Sequence, residues 1–400
     1  MKLKLTIIFI LLITFFLPAC TFPAGHKEET KIICGDQRMD LYLPLLRTKR
    51  IAVVANQTAM IGKTHLVDTL LSQNINVVKI FSPEHGFRGL ADAGEKFENS
   101  TDVETGLPII SLYGKNYKPR SEDLEGLDIV LFDIQDVGVR FYTYISTMTW
   151  VMEACAENNI TLLILDRPNP NGFYVDGPLL EDNYRSFVGL HTVPLVYGMT
   201  IAEYARMLNG EGWLNDGVRC DLKYIACKNY THDSLYKLEV SPSPNLPDMR
   251  AVYLYPSLGL FEGTSISVGR GTHYPFQVFG SPYLESVDFS FTPQSIPGAS
   301  VNPPYKGELC YGVDLRKVPI DSLVKKHAIS LQYLLFAYQH DKQKVNFFNS
   351  YFENLVGTAT LRRQVEEGLS EGTIRNDWQQ GLEWFMTIRG KYLIYPDFKK

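Results

Sequence analysis

Cysteine is scarce in this sequence, six in 400 residues, and the six are widely scattered. That count excludes a disulfide-dense miniprotein, and no Cys/His cluster has the spacing of a zinc site. Behind Cys20 there remain Cys34, Cys155, Cys220, Cys227 and Cys310, an odd number that cannot all pair, with Cys220 and Cys227 the candidate bridge. A basic excess is also missing. Thirty-nine Lys and Arg stand against 44 Asp and Glu, for a net charge of -5, so a nucleic-acid partner has little electrostatic support. Neither G-x-G-x-x-G nor G-x-S-x-G occurs, so neither a dinucleotide site nor a nucleophile elbow is signalled. No apolar run beyond the N-terminus is long enough to span a bilayer, and there is no internal repeat or low-complexity tract. At 45% hydrophobic and 21% charged residues the chain has ordinary globular composition. Its length suits two domains, or one large one with an extension. Tyr and Phe are plentiful, 23 and 22, and such amphipathic rings suit ligands with apolar patches and hydroxyl edges.

Residues 1–20 read MKLKLTIIFILLITFFLPAC: a positive start at Lys2 and Lys4, an apolar stretch from Leu5 to Leu17, then a small residue and a cysteine. This is the pattern of an export signal. The ending Leu17-Pro18-Ala19-Cys20 is similar to the lipobox of bacterial lipoproteins, although Pro18 is atypical there. The expectation is a signal at 1–20 with lipid on Cys20, a tether at 21–30, and a body held to a bacterial membrane by the lipid alone, periplasmic or at the cell surface.

From residue 50 to 170, short apolar runs alternate with helix-period segments, which predicts buried parallel strands joined by crossover helices. Ile51 to Ala55 opens into Asn56-Gln57-Thr58, and a helical stretch follows near His65 to Ser72. Val77 to Phe81 opens into Ser82-Pro83-Glu84-His85-Gly86. Ile129 to Phe132 opens into Asp133-Ile134-Gln135-Asp136, and a helix from about Tyr144 to Glu157 leads to Leu162 to Leu165, which opens into Asp166-Arg167-Pro168-Asn169. In an open α/β sheet the ligand crevice lies outside the carboxyl ends of the strands, so these four polar exits should gather at one edge. Near 240 the texture becomes Pro- and Tyr-rich. Helices are expected around Asp321 to Gln339 and Arg375 to Arg389. The fold class expected is α/β, a Rossmann-like mostly parallel domain at 31–240 followed by a smaller α+β domain at 241–400.

Gln57 to Thr64 reads QTAMIGKT between a strand and a helix, close to a phosphate-binding loop, but Gln57 stands where G-x-x-x-x-G-K-[ST] needs its first glycine. In SPEHGFRG, Glu84 and His85 are adjacent acid/base groups at a strand end, and the bland alternative is a surface turn with Glu84 paired to Arg88. In DIQDVGVRFYTY, Asp133 and Asp136 beside Arg140 are able to hold sugar hydroxyls, bind a divalent metal, or form a structural ion pair. DRPNPNG, with Asp166 and Asn169, is a turn by composition. LFEGTSISVGRGTHYPF sets Glu262 between Phe261 and Gly263, with Arg270 and His273 following. A carboxyl group among apolar residues makes a proton donor, and a pair with Arg270 is the structural alternative.

Taken in order, SPEHGFRG, DIQDVGVRFYTYISTM, DRPNPNG with VDGPLL, VPLVYGMTIAEYA, SPSPNLP and YPSLGLFEGTSISVGRGT with PFQ resemble the exo-β-N-acetylmuramidase family of peptidoglycan recycling, the NamZ-type glycosidases. The likeness runs from about residue 32 to 398. Ala202, where the family commonly has Gly, and Cys34 depart from it. The resemblance implies release of terminal N-acetylmuramic acid from the non-reducing end of peptidoglycan fragments in a cleft between two domains; no cofactor, no metal and no nucleic acid are expected. It makes Glu84 the first choice of catalytic acid or base and Glu262 the second, with His85 beside them. Asn56, Asp133, Arg140, Tyr142, Asp166, Asn169, Arg270 and His273 become candidate sugar-binding residues, with Arg270 or Arg140 pairing with the lactyl carboxylate. Glycoside cleavage needs an acid and a second carboxylate, or an acid assisted by the substrate's own acetamido group. The rival readings are a non-catalytic glycan-binding lipoprotein and a metal-dependent hydrolase built on Asp133 and Asp136.

Overall fold

The computed structural model describes residues 31–84, 86–88 and 99–399. Cys20, the signal segment and His85 therefore lie outside the described residues. Ile32 to Lys400 groups as one compact unit. The strands, among the described residues, are β1 (Arg50–Ala55), β2 (Met60–Ile61), β3 (Thr64–His65), β4 (Asn76–Ser82), β5 (Ser100–Thr101) and β6 (Pro108–Ser111). They continue as β7 (Ile129–Asp133), β8 (Thr161–Leu165), β9 (Leu222–Ile225), β10 (Val278–Ser281), β11 (Phe289–Phe291) and β12 (Cys310–Asp314).

Seven of these form the main sheet in the order β5-β6-β4-β1-β7-β8-β9, all parallel except the short edge strand β5. Val53 of β1 faces Ile80 on one side and Leu131 on the other. Among the six parallel strands, chain order runs outward in both directions from β1 and β7, the reversal that defines a doubly wound α/β sheet. The alternation of side chains along each strand explains why its centre reads as an unbroken apolar run. Ala52, Val54, Val130, Phe132, Leu162 and Ile164 enter one core with the helices Tyr144–Glu157 and Ile201–Glu211. Ile51, Val53, Ala55, Ile129, Leu131, Leu163 and Leu165 enter another, under the helices Met39–Leu46 and Leu66–Ser72. The first core continues into the C-terminal part through Leu254, Phe261, Phe279, Leu334, Phe352 and Phe385. That part carries the small antiparallel sheet β10-β12-β11 and short helices.

The four expected strands and the Tyr144–Glu157 helix are present. The Gln57 to Thr64 segment is no phosphate loop: it folds as the hairpin β2–β3, turning at Gly62, whose φ is 62°. The helix expected around Asp321 to Gln339 is two, Ile320–Lys325 and Gln332–His340. Between them the amides of Ile329 and Ser330 donate to Asp176 (2.7 Å) and Ser257 (2.8 Å), and so leave the helical ladder for distant acceptors. Likewise Glu371–Asn376 precedes Gln379–Arg389. The sequence pattern also missed β6 and β9. In β9, Lys223 and Tyr224 face solvent at the sheet edge, so no apolar run marks the strand. All five described cysteines are free thiols, Cys220 and Cys227 included.

Candidate active site

Glu84 follows β4 in a turn closed by the Gly86 amide on the Pro83 carbonyl (3.2 Å), with Gly86 at φ 77°. The chain just beyond is anchored. Phe87 packs edge-on against His65 at 4.6 Å, and Arg88 binds Asp102 (2.8 Å) and Asp68 (3.3 Å). Arg88 is thus engaged with acids other than Glu84, which faces a cavity of about 430 Å³ at the carboxyl edge of the sheet. A cleft of this size suits a small ligand. The Thr143 hydroxyl donates to Glu84 at 3.4 Å, and the Tyr113 hydroxyl hydrogen-bonds to it as well. Burial, followed by the negative charge of Glu84, raises the Tyr113 phenol above its ordinary range.

Glu262 lines the same cavity from the C-terminal part, on the turn Gly259–Gly263. Arg270 holds it, with Nε at 2.8 Å and Nη2 at 2.7 Å from the same carboxylate oxygen. Burial works against the charge on Arg270, but Glu262 and then Glu84 hold its pKa above the usual value. The Arg270 Nη1 is buried with no hydrogen-bond partner, while the guanidinium lies 5.1 Å from the Phe276 ring centroid. The proton-donor role suggested for Glu262 by its apolar neighbours gives way to an ion pair, which suits a carboxylate that acts through its negative charge.

Aromatic rings make much of the remaining wall: Phe141, Tyr142, Tyr144, Phe187, Tyr255 and Tyr351. Tyr142 and Tyr144 meet edge-to-face at 4.8 Å, and the Tyr142 hydroxyl donates to the Pro242 carbonyl at 2.8 Å. Tyr351 is pushed up to about 12 by burial and by Glu262 and Glu84. Ser243 and Asn245 also line the cavity, Asn245 held by the Ala299 carbonyl at 2.8 Å. Of these, Ser243 and Asn245 lie in the SPSPNLP motif and were open to notice. Tyr351 carries no local signal and is brought in by the fold.

Several of the sugar-binding candidates lie elsewhere. Arg140 is fully buried, and its two terminal nitrogens donate to the carbonyls of Pro178, Val193, Leu355 and Val356. Its Nε is buried without a partner, but Arg140 is outside the cavity lining and so out of reach of a ligand carboxylate there, and burial without an acidic partner lowers its pKa to about 9. Asp133 is clamped by Arg167 at 2.5 and 2.9 Å, and Arg167 also reaches Asp36 at 2.8 Å. Asp136 accepts from Tyr197 and from the Gly138 amide. Asp133 is spent on Arg167, and Asp136 takes both its bonds on Oδ2 while Oδ1 is buried without a partner; among the described residues no group of three or more His, Cys, Asp or Glu is placed to hold a metal. Asp166 is buried, accepts from Thr200, the Ala202 amide and Tyr395, and is raised to about 7 by burial. Asn169 ties the Met199 carbonyl to the Asn171 amide and fills the space beside Gly138, at φ 75°, where a Cβ would collide with it at 2.2 Å. Asn56 is buried as well, yet it donates to the Tyr144 hydroxyl at 2.8 Å and so orients a wall residue. His273 is exposed and outside the cavity lining. Of the eight, Tyr142 and Arg270 face the cavity.

Two family models cover the chain, the N-terminal model of the exo-β-N-acetylmuramidase NamZ over residues 51–250 and its C-terminal model over residues 253–395. A peptidoglycan β-N-acetylmuramidase NamZ from Bacillus subtilis (strain 168) is 39% identical over 389 residues, spanning 92% of this chain and 92% of that protein. A crystal structure of a DUF1343 family protein from Bacteroides fragilis NCTC 9343 matches 92% of this chain and 100% of its own, at 48% identity and a TM-score of 0.86. A second DUF1343 protein from the same organism matches 91% and 99%, at 30% identity and a TM-score of 0.72. The chain belongs to the NamZ family of exo-β-N-acetylmuramidases.

Proposed function

We propose that this protein is an exo-acting glycoside hydrolase that releases terminal non-reducing N-acetylmuramic acid from peptidoglycan fragments. Family membership gives the reaction class, and the observation that carries the chemistry is one cavity with Glu84 on one wall and the Glu262–Arg270 pair on another. Glu84 is the proton donor. As the bond from C1 to the glycosidic oxygen breaks, its carboxylic acid gives its proton to that oxygen and the remaining glycan leaves as an alcohol. The oxygen of water then bonds to C1, and the proton that the water gives up returns Glu84 to its acid form. Glu262 faces the positive charge that develops on the sugar ring, which is where an oxocarbenium-like transition state needs a second carboxylate. Thr143 and Tyr113 orient Glu84 through their hydroxyls.

Arg270 reads the lactyl carboxylate that separates muramic acid from glucosamine. Its Nη1 is a buried donor without an acceptor, a costly arrangement that a ligand carboxylate oxygen relieves. The aromatic walls take the apolar faces of the ring. The Lys2 and Lys4 start, the apolar stretch and Cys20 support export and attachment of the mature protein to a bacterial membrane by lipid, a location that agrees with a cell-wall substrate.

The test is chromophore release from para-nitrophenyl β-N-acetylmuraminide beside the matching N-acetylglucosaminide, with protein lacking residues 1–20 and its Glu84→Gln variant. Release from the muraminide, reduced about 100-fold or more in the variant, is the expected result. A Glu84→Gln protein that turns over normally overturns the assignment of the acid. Folded protein that binds the glycan and releases nothing favours a binding protein.

A further inference from the structure

Two cavity-lining rings, Tyr113 and Phe187, are the inner edge of a larger aromatic cluster, of which only the Tyr113 hydroxyl bears on Glu84. Tyr117 packs on Phe187 at 4.5 Å and on Trp150 at 5.2 Å, and Trp150 stacks on Phe187 at 5.3 Å with the ring planes 1° apart. All four rings are half-buried. None of them joins the large hydrophobic cores of the described residues, so filling the interior does not account for them. They are nevertheless held in place. Trp150 stands on the helix Tyr144–Glu157, whose Ser146 hydroxyl donates to the Phe187 carbonyl at 2.8 Å. Ser186 and Gly189 exchange two backbone hydrogen bonds of 2.9 Å around Phe187, and Lys118 pins the Tyr117 loop to Glu153 (3.3 Å) and Glu157 (2.6 Å).

We infer that Tyr113, Tyr117, Trp150 and Phe187 form a binding surface for pyranose rings of the glycan on the leaving side of the cleaved bond. The inference rests on the glycosidase reading above. An exo-acting cavity takes the terminal sugar, and the rest of the chain has to leave through the open side, along a wall continuous with the cavity. This aromatic wall is continuous with it through Tyr113 and Phe187. Pyranose rings present flat C–H faces that pack on such rings, and a pre-ordered surface loses little entropy on binding. The surface therefore sets preference for chain length, whereas Glu84 and Arg270 act on the terminal sugar.

The experiment measures binding by calorimetry in the Glu84→Gln background, using free N-acetylmuramic acid and a tetrasaccharide of alternating N-acetylmuramic acid and N-acetylglucosamine with N-acetylmuramic acid at its non-reducing end. Tyr117→Leu and Trp150→Leu are compared with the parent, and thermal melts establish that each variant is folded. The expected result is tighter binding of the tetrasaccharide by the parent, weakened about fivefold in each variant, with monosaccharide affinity unchanged. Equal affinity of the parent for both ligands, or a folded variant that keeps the full tetrasaccharide advantage, overturns the inference. A wild-type chain that neither binds nor cleaves either ligand sinks the glycosidase reading itself, a result separable from loss of the length effect alone.

Discussion

Arg140→Met separates a structural arginine from a substrate-binding one. The guanidinium donates to four backbone carbonyls, Pro178 (3.0 Å), Val193 (2.7 Å), Leu355 (3.1 Å) and Val356 (2.5 Å), joining the loop after β7 to segments about 40 to 216 residues further on. Gly357, at φ 85°, lies against it, and a Cβ there would come within 2.5 Å of Nη2. Met fills much of the volume but leaves four acceptors without a donor, at roughly 1 kcal/mol or more each. Working the other way, the variant relieves the burial of a cation with no acidic partner, the cause of the low pKa of Arg140. The balance is a loss of about 2–4 kcal/mol, a large part of the roughly 5–15 kcal/mol that holds a typical domain folded. Urea unfolding measures that loss, and muraminide turnover per folded molecule stays within about twofold of wild type, since Arg140 is not in the cavity wall. Wild-type stability combined with lost turnover would refute the reasoning and return Arg140 to the substrate.

Arg270→Lys retains a charge for Glu262 but loses the planar fork, so kcat/KM on the muraminide is expected to fall about 10- to 100-fold and on the glucosaminide much less; equal falls would remove Arg270 from lactyl recognition. Asp136 carries a pH signature. Burial raises its pKa to about 6 despite the donors Tyr197 and Gly138, and this lies above the unfolded value of ~3.9. Its contribution to stability is thus fully present below about pH 4 and is lost as pH rises through about 6. The stability of wild type relative to Asp136→Asn should fall by about 2 kcal/mol between pH 4 and pH 7, and an unfolding series in which the difference stays flat or rises contradicts this. Cys20→Ala should abolish incorporation of labelled palmitate and shift the protein from the membrane to the soluble fraction; unchanged labelling would disprove lipidation at Cys20.

Much of the site was legible because its main part is local. Glu84 was marked by a strand-end position between Pro83 and Gly86, and Glu262 and Arg270 sit eight residues apart on one turn-rich segment, so their pairing was one of two readings available from sequence. The polar strand ends misled for a physical reason. Asp133, Asp166 and Asn169 follow strands in the way catalytic residues do, yet in a large domain the same edge must also be sealed, and these groups satisfy buried loops there. Tyr113 and Tyr351 were invisible among so many tyrosines, since their value comes from facing two carboxylates supplied by distant segments.

Sequence alone thus determined the parallel α/β sheet, the Tyr144–Glu157 crossover helix and the carboxylate at the end of β4, because each depends on hydrophobic runs, helical period and turn residues within a short window. Tertiary structure decided which polar residues are free to meet a substrate. Asp166 is closed by Tyr395, 229 positions away, Arg140 by Val356, 216 away, and Asn56 is turned from a ligand contact into a support for Tyr144. A buried polar group has to find its partner wherever the fold brings one, and no window of the sequence holds that partner.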